Sequence, residues 1–154
     1  MSFISYEKKI LGEIIQVLEK NPESSEKLFL EKIILAKKVF VAGGGRSGLI
    51  GKSFAMRLMQ AGKNVFVVGE TITPSINKGD LLICVSSSGK TRTVLDFAVE
   101  AKNANANVVC ITSDYKSNLA KLSDFVVLLK ISKTSFQPLE VFLSRVHLFF
   151  LKQL

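Results

Sequence analysis

The sequence has few of the residues from which metal sites and disulfide frameworks are built. Its 154 residues include two cysteines and one histidine. Cys84 and Cys110 each lie within an apolar run and lack a CxxC partner, so both are expected to be small buried hydrophobic side chains. His147 cannot complete a zinc site with them, because structural zinc needs more ligands than these residues supply. We therefore predict no metal ion.

Long apolar runs are also absent. No stretch of the sequence approaches the length of a membrane span, and residues 1–14 lack the apolar core of a signal peptide. Together with cysteines that are expected to stay reduced, these absences predict a soluble cytoplasmic protein with no membrane contact.

Acidic residues are in the minority. The formal charge is +8, from 21 Lys and Arg against 13 Asp and Glu, and such a balance favours anionic partners. The lysines, however, are scattered singly or in pairs such as Lys8-Lys9 and Lys37-Lys38, with no basic stripe interleaved with aromatic residues. Nucleic acid is therefore not the expected partner, and a small phosphorylated metabolite fits better.

Short β-branched runs alternate with amphipathic stretches through the middle of the chain. Because continuous apolar strands separated by helices are typical of a parallel sheet covered on both faces, we predict a three-layer, doubly wound α/β sandwich. The predicted strands are 39–42, 64–68, 81–85, 108–112 and 125–129, and the predicted helices between them are 48–61, 93–103 and 116–122.

The ends of the chain are predicted to be helical. Residues 3–19 carry apolar side chains at helical spacing, Asn21-Pro22 ends that helix, and Ser24 or Ser25 can cap a second helix that ends near Ala36. These two helices predict a hairpin ahead of the sheet. The predicted organisation is one domain, 1–154, with N-terminal helices over 1–37, a sheet core over 38–130 and a C-terminal helix over 137–154.

A glycine-rich segment follows the first predicted strand. Gly43 to Gly48 fits GxGxxG between a strand and a helix, and Glu70 closes the second strand where a ribose-binding carboxylate would stand. A dinucleotide site is therefore one interpretation of this segment. Two partial matches to the P-loop of nucleotide hydrolases fail, because Arg46 and Cys84 occupy positions that require glycine.

Hydroxyl groups and cations collect after the third predicted strand. A dinucleotide does not need them, whereas a phosphate monoester accepts several hydrogen bonds at once from hydroxyls and from the N–H groups of a helix N-terminus. Ser/Gly clusters also make ordinary turns, but a turn does not need this many hydroxyls and two cations. We therefore predict a phosphate-binding loop without a cofactor, formed by Ser86, Ser87, Ser88, Gly89, Lys90, Thr91 and Arg92.

On these residues the sequence resembles the sugar isomerase (SIS) domain family. The shared features are a Gly-rich loop that ends in Ser47 and an S-x-S-G-x-T loop after the third strand. The stretches VAGGGRSGLIGKSFAMRLMQAG (41–62) and NVFVVGETITPSINKGDLLI (64–83) further resemble 6-phospho-3-hexuloisomerases. The resemblance implies a sugar-phosphate substrate, isomerisation of 3-hexulose 6-phosphate to fructose 6-phosphate through an enediol, and a homodimer or homotetramer.

The resemblance also implies roles for individual residues. Ser47, Ser86, Ser88 and Thr91 correspond to phosphate-binding hydroxyls, while Ser87 stands where relatives often have glycine and contributes its N–H. Arg46 matches the family arginine and is expected to face the substrate as a catalytic residue.

Three positions depart from the family pattern. Lys90 replaces a glutamate, Gln60 replaces a histidine, and Ser144 replaces the C-terminal glutamate that is the expected base. Glu140 lies one helical turn before Ser144 and is our predicted catalytic substitute, although the residue also fits a solvated acid in a first helical turn, an interpretation that stays open and is the simpler one.

Two further residues, His147 and Glu70, bear on whether the protein is an enzyme. His147 on an apolar helix fits a packed or interface side chain better than a catalyst. Glu70 is retained from the family pattern, so a role for it across a subunit contact stays open. The isomerase prediction therefore has an alternative, a non-catalytic SIS module that senses a phosphosugar.

Overall fold

The protein folds as an α/β domain around one parallel sheet. The computed structural model describes residues 3–19 and 23–129. The strand order is β2-β1-β3-β4-β5 and every pairing is parallel, so the predicted sheet is confirmed. The elements in chain order are α1 (Phe3–Glu19), α2 (Glu23–Leu35), β1 (Val39–Gly43), α3 (Gly45–Gln60), β2 (Val65–Val67), β3 (Leu81–Val85), α4 (Arg92–Asn103), β4 (Asn107–Thr112), α5 (Asn118–Leu122) and β5 (Phe125–Leu128).

Helices cover both faces of this sheet, which explains why its strands are apolar without alternation. On one face α2 and α3 bury side chains such as Phe29, Phe54 and Leu58 against the strands. On the other face α4 and α5 bury Val94 and Leu119. The predicted three-layer sandwich is therefore confirmed, with a separate apolar core on each side of the sheet.

The strand order creates a crevice at the carboxyl edge of the sheet. β1 and β3 are neighbours, with Gly43 paired to Val85 at their ends. The helix after β1 packs on one face of the sheet and the helix after β3 packs on the other. The two following loops therefore diverge from one point, which is where open α/β sheets bind ligands.

Between β2 and β3 the chain crosses the sheet without a helix. Asp80, just before β3, is buried; it accepts the N–H of Asn77 at 2.9 Å and lies 3.4 Å from the Lys38 ammonium. These contacts fix the end of the connection, and the connection lines a pocket of about 190 Å³ together with Phe40 and Phe97. The pocket is on the α4 face and apart from the crevice.

The two cysteines behave as predicted from their apolar surroundings. Cys84 and Cys110 are free, buried register partners on β3 and β4. Burial raises the pKa of both thiols, and the neighbouring Cys110 raises that of Cys84 further. Both side chains therefore stay protonated and unreactive in the folded state.

Several boundaries differ from the sequence-based expectations. The helix expected from Gly48 begins at Gly45, because the glycine-rich segment forms the first helical turn itself. α2 already includes Ser24 and Ser25, so neither is its N-cap. The strand expected over 64–68 is limited to Val65–Val67. The helix predicted over 3–19 is confirmed.

Some expectations fall outside the residues that the structure describes. These are the turn at 20–22 and the C-terminal helix over 137–154, with Glu140, Ser144 and His147. Within residues 3–19 and 23–129, no helix is long and apolar enough to cross a membrane.

Candidate phosphate-binding site

The two loops singled out from the sequence meet at the crevice between β1 and β3. Gly44, in the first loop, lies against Thr91 of the second, since a methyl group on Gly44 would be 3.1 Å from Thr91 Cγ2. The structure therefore brings together the glycine-rich segment and the hydroxyl-rich segment, although 37 residues separate Gly48 from Ser86 in the chain.

The first loop turns directly from strand into helix. A methyl group on Gly48 would lie 2.7 Å from the Gly43 carbonyl oxygen, so this turn requires glycine at position 48. The turn places Ser47 and Arg46 in the first turn of α3. Arg46 is exposed, whereas Ser47 is only 8% exposed. Among the residues described here, the Ser47 hydroxyl has no hydrogen-bond partner, which is a feature expected of a ligand-binding group.

In the second loop two hydroxyls contact each other. Ser86 Oγ and Thr91 Oγ1 are 3.0 Å apart, and Ser86 is buried. Thr91 is the N-cap of α4, but its side chain makes no capping hydrogen bond to the helix. The N–H groups of the first turn of α4 are therefore left for another acceptor, and the helix dipole favours an anion there.

The carbonyl group of Ser87 anchors this loop to the end of β4. It accepts hydrogen bonds from Ser113 N at 3.0 Å, Ser113 Oγ at 2.9 Å and Thr112 Oγ1 at 2.9 Å. With the carbonyl directed at β4, no acceptor for the N–H groups of Ser87 and Ser88 occurs within the described part of the chain. The loop thus presents donors while its acceptor is occupied.

Gly89 connects the loop to α5. Its φ of +60° is in the left-handed region, and a methyl group there would lie 2.1 Å from Ser117 Oγ. The Gly89 carbonyl accepts from Leu119 N at 3.2 Å, and Ser117 Oγ caps α5 by accepting from Ala120 N at 3.3 Å. Sequence reasoning did not find the role of Ser117 or of Thr112, because their contacts arise only once β3 and β4 are adjacent.

Charged pairs surround the crevice. Lys52 and Glu70 form an ion pair at 2.6 Å with both side chains half-exposed. The carboxylate proposed for a ribose in the dinucleotide interpretation is therefore bonded to a lysine of α3. Arg92 Nε is 3.3 Å from Asp96 Oδ1, whereas Lys90 is exposed on the loop. Within residues 3–19 and 23–129, no group of His, Cys, Asp or Glu is arranged to hold a metal ion.

Comparison with known families agrees with this geometry. The sequence matches the SIS domain over residues 32–152, which include every element from β1 to β5. The chain belongs to the SIS domain family.

Individual relatives extend this assignment. A 3-hexulose-6-phosphate isomerase of Methanocaldococcus jannaschii is 42% identical over 147 residues, covering 92% of this chain and 81% of the relative. The enzyme of that name from Methylomonas aminofaciens is 37% identical over 122 residues, covering 79% and 67%. Other relatives are matched over about half of their own length.

A solved structure shares the fold closely. A Methanococcus jannaschii protein, for which a 3-hexulose-6-phosphate isomerase function was inferred, superposes with a TM-score of 0.79 at 39% identity. The superposition covers 96% of this chain and 82% of that one.

One position noted in the resemblance lies far from the two loops at the crevice of this SIS domain. Gln60 is the last residue of α3, thirteen residues after Ser47. At the rise of an α-helix this separates the two residues by about 20 Å and puts Gln60 at the opposite edge of the sheet. Gln60 therefore cannot reach the crevice of its own chain.

We expect the substitution Gly89→Ala to destabilise the protein, since the methyl group would both occupy the space of Ser117 and force a left-handed backbone on alanine. The free energy of unfolding should fall by about 2–4 kcal/mol in urea titrations. Gly62→Ala is the matched control, because Gly62 has a φ of +85° but open space around its Cβ position. It should cost about 1 kcal/mol. Equal losses in the two variants would contradict the close packing at Gly89.

Proposed function

We propose that the protein is a 6-phospho-3-hexuloisomerase that converts 3-hexulose 6-phosphate to fructose 6-phosphate. The observation that carries this proposal is the convergence of two loops rich in hydroxyl and N–H donors on one crevice. Its support is the identity to relatives named 3-hexulose-6-phosphate isomerase over most of the chain. As in those relatives, the ligand would be a phosphorylated ketose.

In this proposal Ser47, Ser88 and Thr91 donate hydrogen bonds to the phosphate, and the N–H of Ser87 adds another. Ser86 positions the Thr91 hydroxyl, because the two hydroxyl oxygens are 3.0 Å apart and Ser86 is buried. Each hydrogen bond to the charged group contributes about 1.5–3 kcal/mol, and the dipole of α4 adds to the attraction. No cofactor takes part.

The reaction itself is a proton transfer between neighbouring carbons. A base removes the proton on C2 of 3-hexulose 6-phosphate and the resulting enediol is protonated on C3, while a hydroxyl proton passes between the two oxygens. Of the carboxylates described at the carboxyl edge of the sheet, Glu70 and Asp96 are ion-paired and Asp114 accepts the N–H of Lys116 at 2.9 Å. We therefore propose that Glu140 is the base and that Arg46 is the cation beside the enediol oxygens.

We also propose that residues 1–154 form one SIS domain that self-associates in the cytoplasm as a homodimer or homotetramer. Two helices present apolar side chains to solvent. Ile4, Leu11 and Ile15 are 64%, 50% and 53% exposed on α1, and Leu49, Met56 and Met59 are 68%, 50% and 54% exposed on α3. Such stripes are expected to pack against a second copy.

The function is tested by turnover and by binding together. The unmodified protein should convert 3-hexulose 6-phosphate to fructose 6-phosphate, and fructose 6-phosphate should raise its melting temperature by linkage while NAD does not.

Ser88→Ala should weaken binding of fructose 6-phosphate roughly tenfold, since one hydrogen bond to the phosphate is lost. Glu140→Gln should lower kcat about 10²–10⁴-fold with binding nearly unchanged.

Binding without turnover in the unmodified protein would contradict the isomerase and leave the phosphosugar sensor. Stabilisation by NAD and not by the sugar phosphate would restore the dinucleotide interpretation of Gly43 to Gly48. Equal kcat values for Glu140→Gln and the unmodified enzyme would remove Glu140 from the mechanism without affecting the phosphate site.

Light scattering tests the proposed assembly. The protein should have the mass of a dimer or tetramer at micromolar concentration, because exposed apolar stripes on two helices favour association. Met56→Glu should shift the distribution towards the monomer, whereas Lys121→Glu on the exposed side of α5 should not. A monomer of unmodified protein would count against the assembly.

A further inference from the structure

Lys90 occupies an exposed position in the middle of the candidate phosphate loop. Its backbone N–H donates to Ser88 Oγ at 3.3 Å, which leaves the Ser88 hydroxyl proton available to another acceptor. On either side, Gly89 is fixed against Ser117 and Thr91 is fixed against Ser86. The backbone of Lys90 is therefore held in place while its side chain is in solvent.

Without a bound ligand, the positive charge of Lys90 lowers the stability of the folded protein. The residue lies two positions before the start of α4, where the helix dipole is positive, and no acidic residue occurs in the first turn of that helix. Arg92 at the same helix end is compensated by Asp96, and Lys52 nearby is compensated by Glu70. Within the described part of the chain, no carboxylate pairs with the ammonium group of Lys90.

An anionic ligand at this end of α4 would offset a cation that lies against the helix dipole without an acid beside it. The N–H groups of Ser87 and Ser88 and the start of α4, which are close to Lys90 in the same loop, attract the same kind of ligand. A phosphate dianion satisfies the ammonium group, the dipole and these donors together, whereas an uncharged sugar satisfies none of the charges.

We propose that Lys90 determines the affinity and charge specificity of this site for phosphate monoesters. The inference rests on the proposed function, which supplies the phosphosugar ligand, and it adds a residue that binds the phosphate through its side-chain charge. Because the phosphate stays attached to the substrate throughout isomerisation, Lys90 stabilises ground state and transition state alike. Its loss should raise KM and leave kcat within about twofold.

The test compares Lys90→Gln with Lys78→Gln. Lys78 is exposed in the turn before β3, at the opposite edge of the sheet, and the two variants change the net charge equally. Calorimetric titration with fructose 6-phosphate, with inorganic phosphate and with fructose gives the affinities at low and high salt. Thermal unfolding without ligand gives the cost of the charge to the fold.

We expect Lys90→Gln to weaken fructose 6-phosphate binding about tenfold at low salt, with a smaller difference at high salt. Without ligand the same variant should melt about 1–3 °C higher, because an uncompensated cation at a helix N-terminus is removed. Lys78→Gln should change the affinity less than about twofold. A weaker complex and a more stable free protein are opposite effects that a merely structural role would not produce.

Unchanged affinity in Lys90→Gln, alongside binding and turnover by the unmodified protein, would overturn the role of Lys90 and leave the proposed function intact. Equal weakening in Lys78→Gln would assign the effect to net charge and overturn the inference as well. A lower melting temperature for free Lys90→Gln would indicate a structural residue. If the unmodified protein binds neither fructose 6-phosphate nor inorganic phosphate, the proposed function fails together with the inference.

Discussion

The adjacency of β1 and β3 is the constraint on which the candidate site depends. These strands end side by side, and their helices leave on opposite faces of the sheet. Only this arrangement brings Gly44 against Thr91 and opens a crevice between the two loops. If β1 and β3 were separated by another strand, Ser47 and Ser88 would be too far apart to contact one phosphate group.

The second loop, residues 86–91, has a fixed shape because two of its carbonyl groups accept hydrogen bonds from neighbouring parts of the fold. The carbonyl of Ser87 is occupied by the end of β4, and the carbonyl of Gly89 is occupied by α5. Fixing the Ser87 carbonyl against β4 directs the N–H of the same peptide, that of Ser88, away from β4, so the loop offers this donor without having to reorganise. Such preorganisation lowers the ordering entropy that ligand binding must overcome. The shape of the loop thus depends on residues, such as Thr112 and Ser117, that need not touch the proposed ligand.

Much of this fold could be predicted from the sequence because its signals are local. Apolar runs bounded by glycine and asparagine predicted five parallel strands, and the serines after Val85 predicted a loop at the carboxyl edge. The start of α3 at Gly45 was missed, since glycine is a poor helix former and its use here is set by the close approach of Gly48 to β1. The Lys52–Glu70 ion pair was also missed, because it joins an α3 side chain to the turn after β2 and has no local signature.

In the proposed function, the crevice between Gly44 and Thr91 holds the phosphate of the ligand. A crystal structure of the protein with fructose 6-phosphate tests it most directly. We expect phosphate oxygens about 2.6–3.2 Å from the hydroxyls of Ser47, Ser88 and Thr91, with the sugar directed away from the sheet. A sugar phosphate bound in the pocket beside Phe40 and Phe97, with the crevice empty, would contradict it.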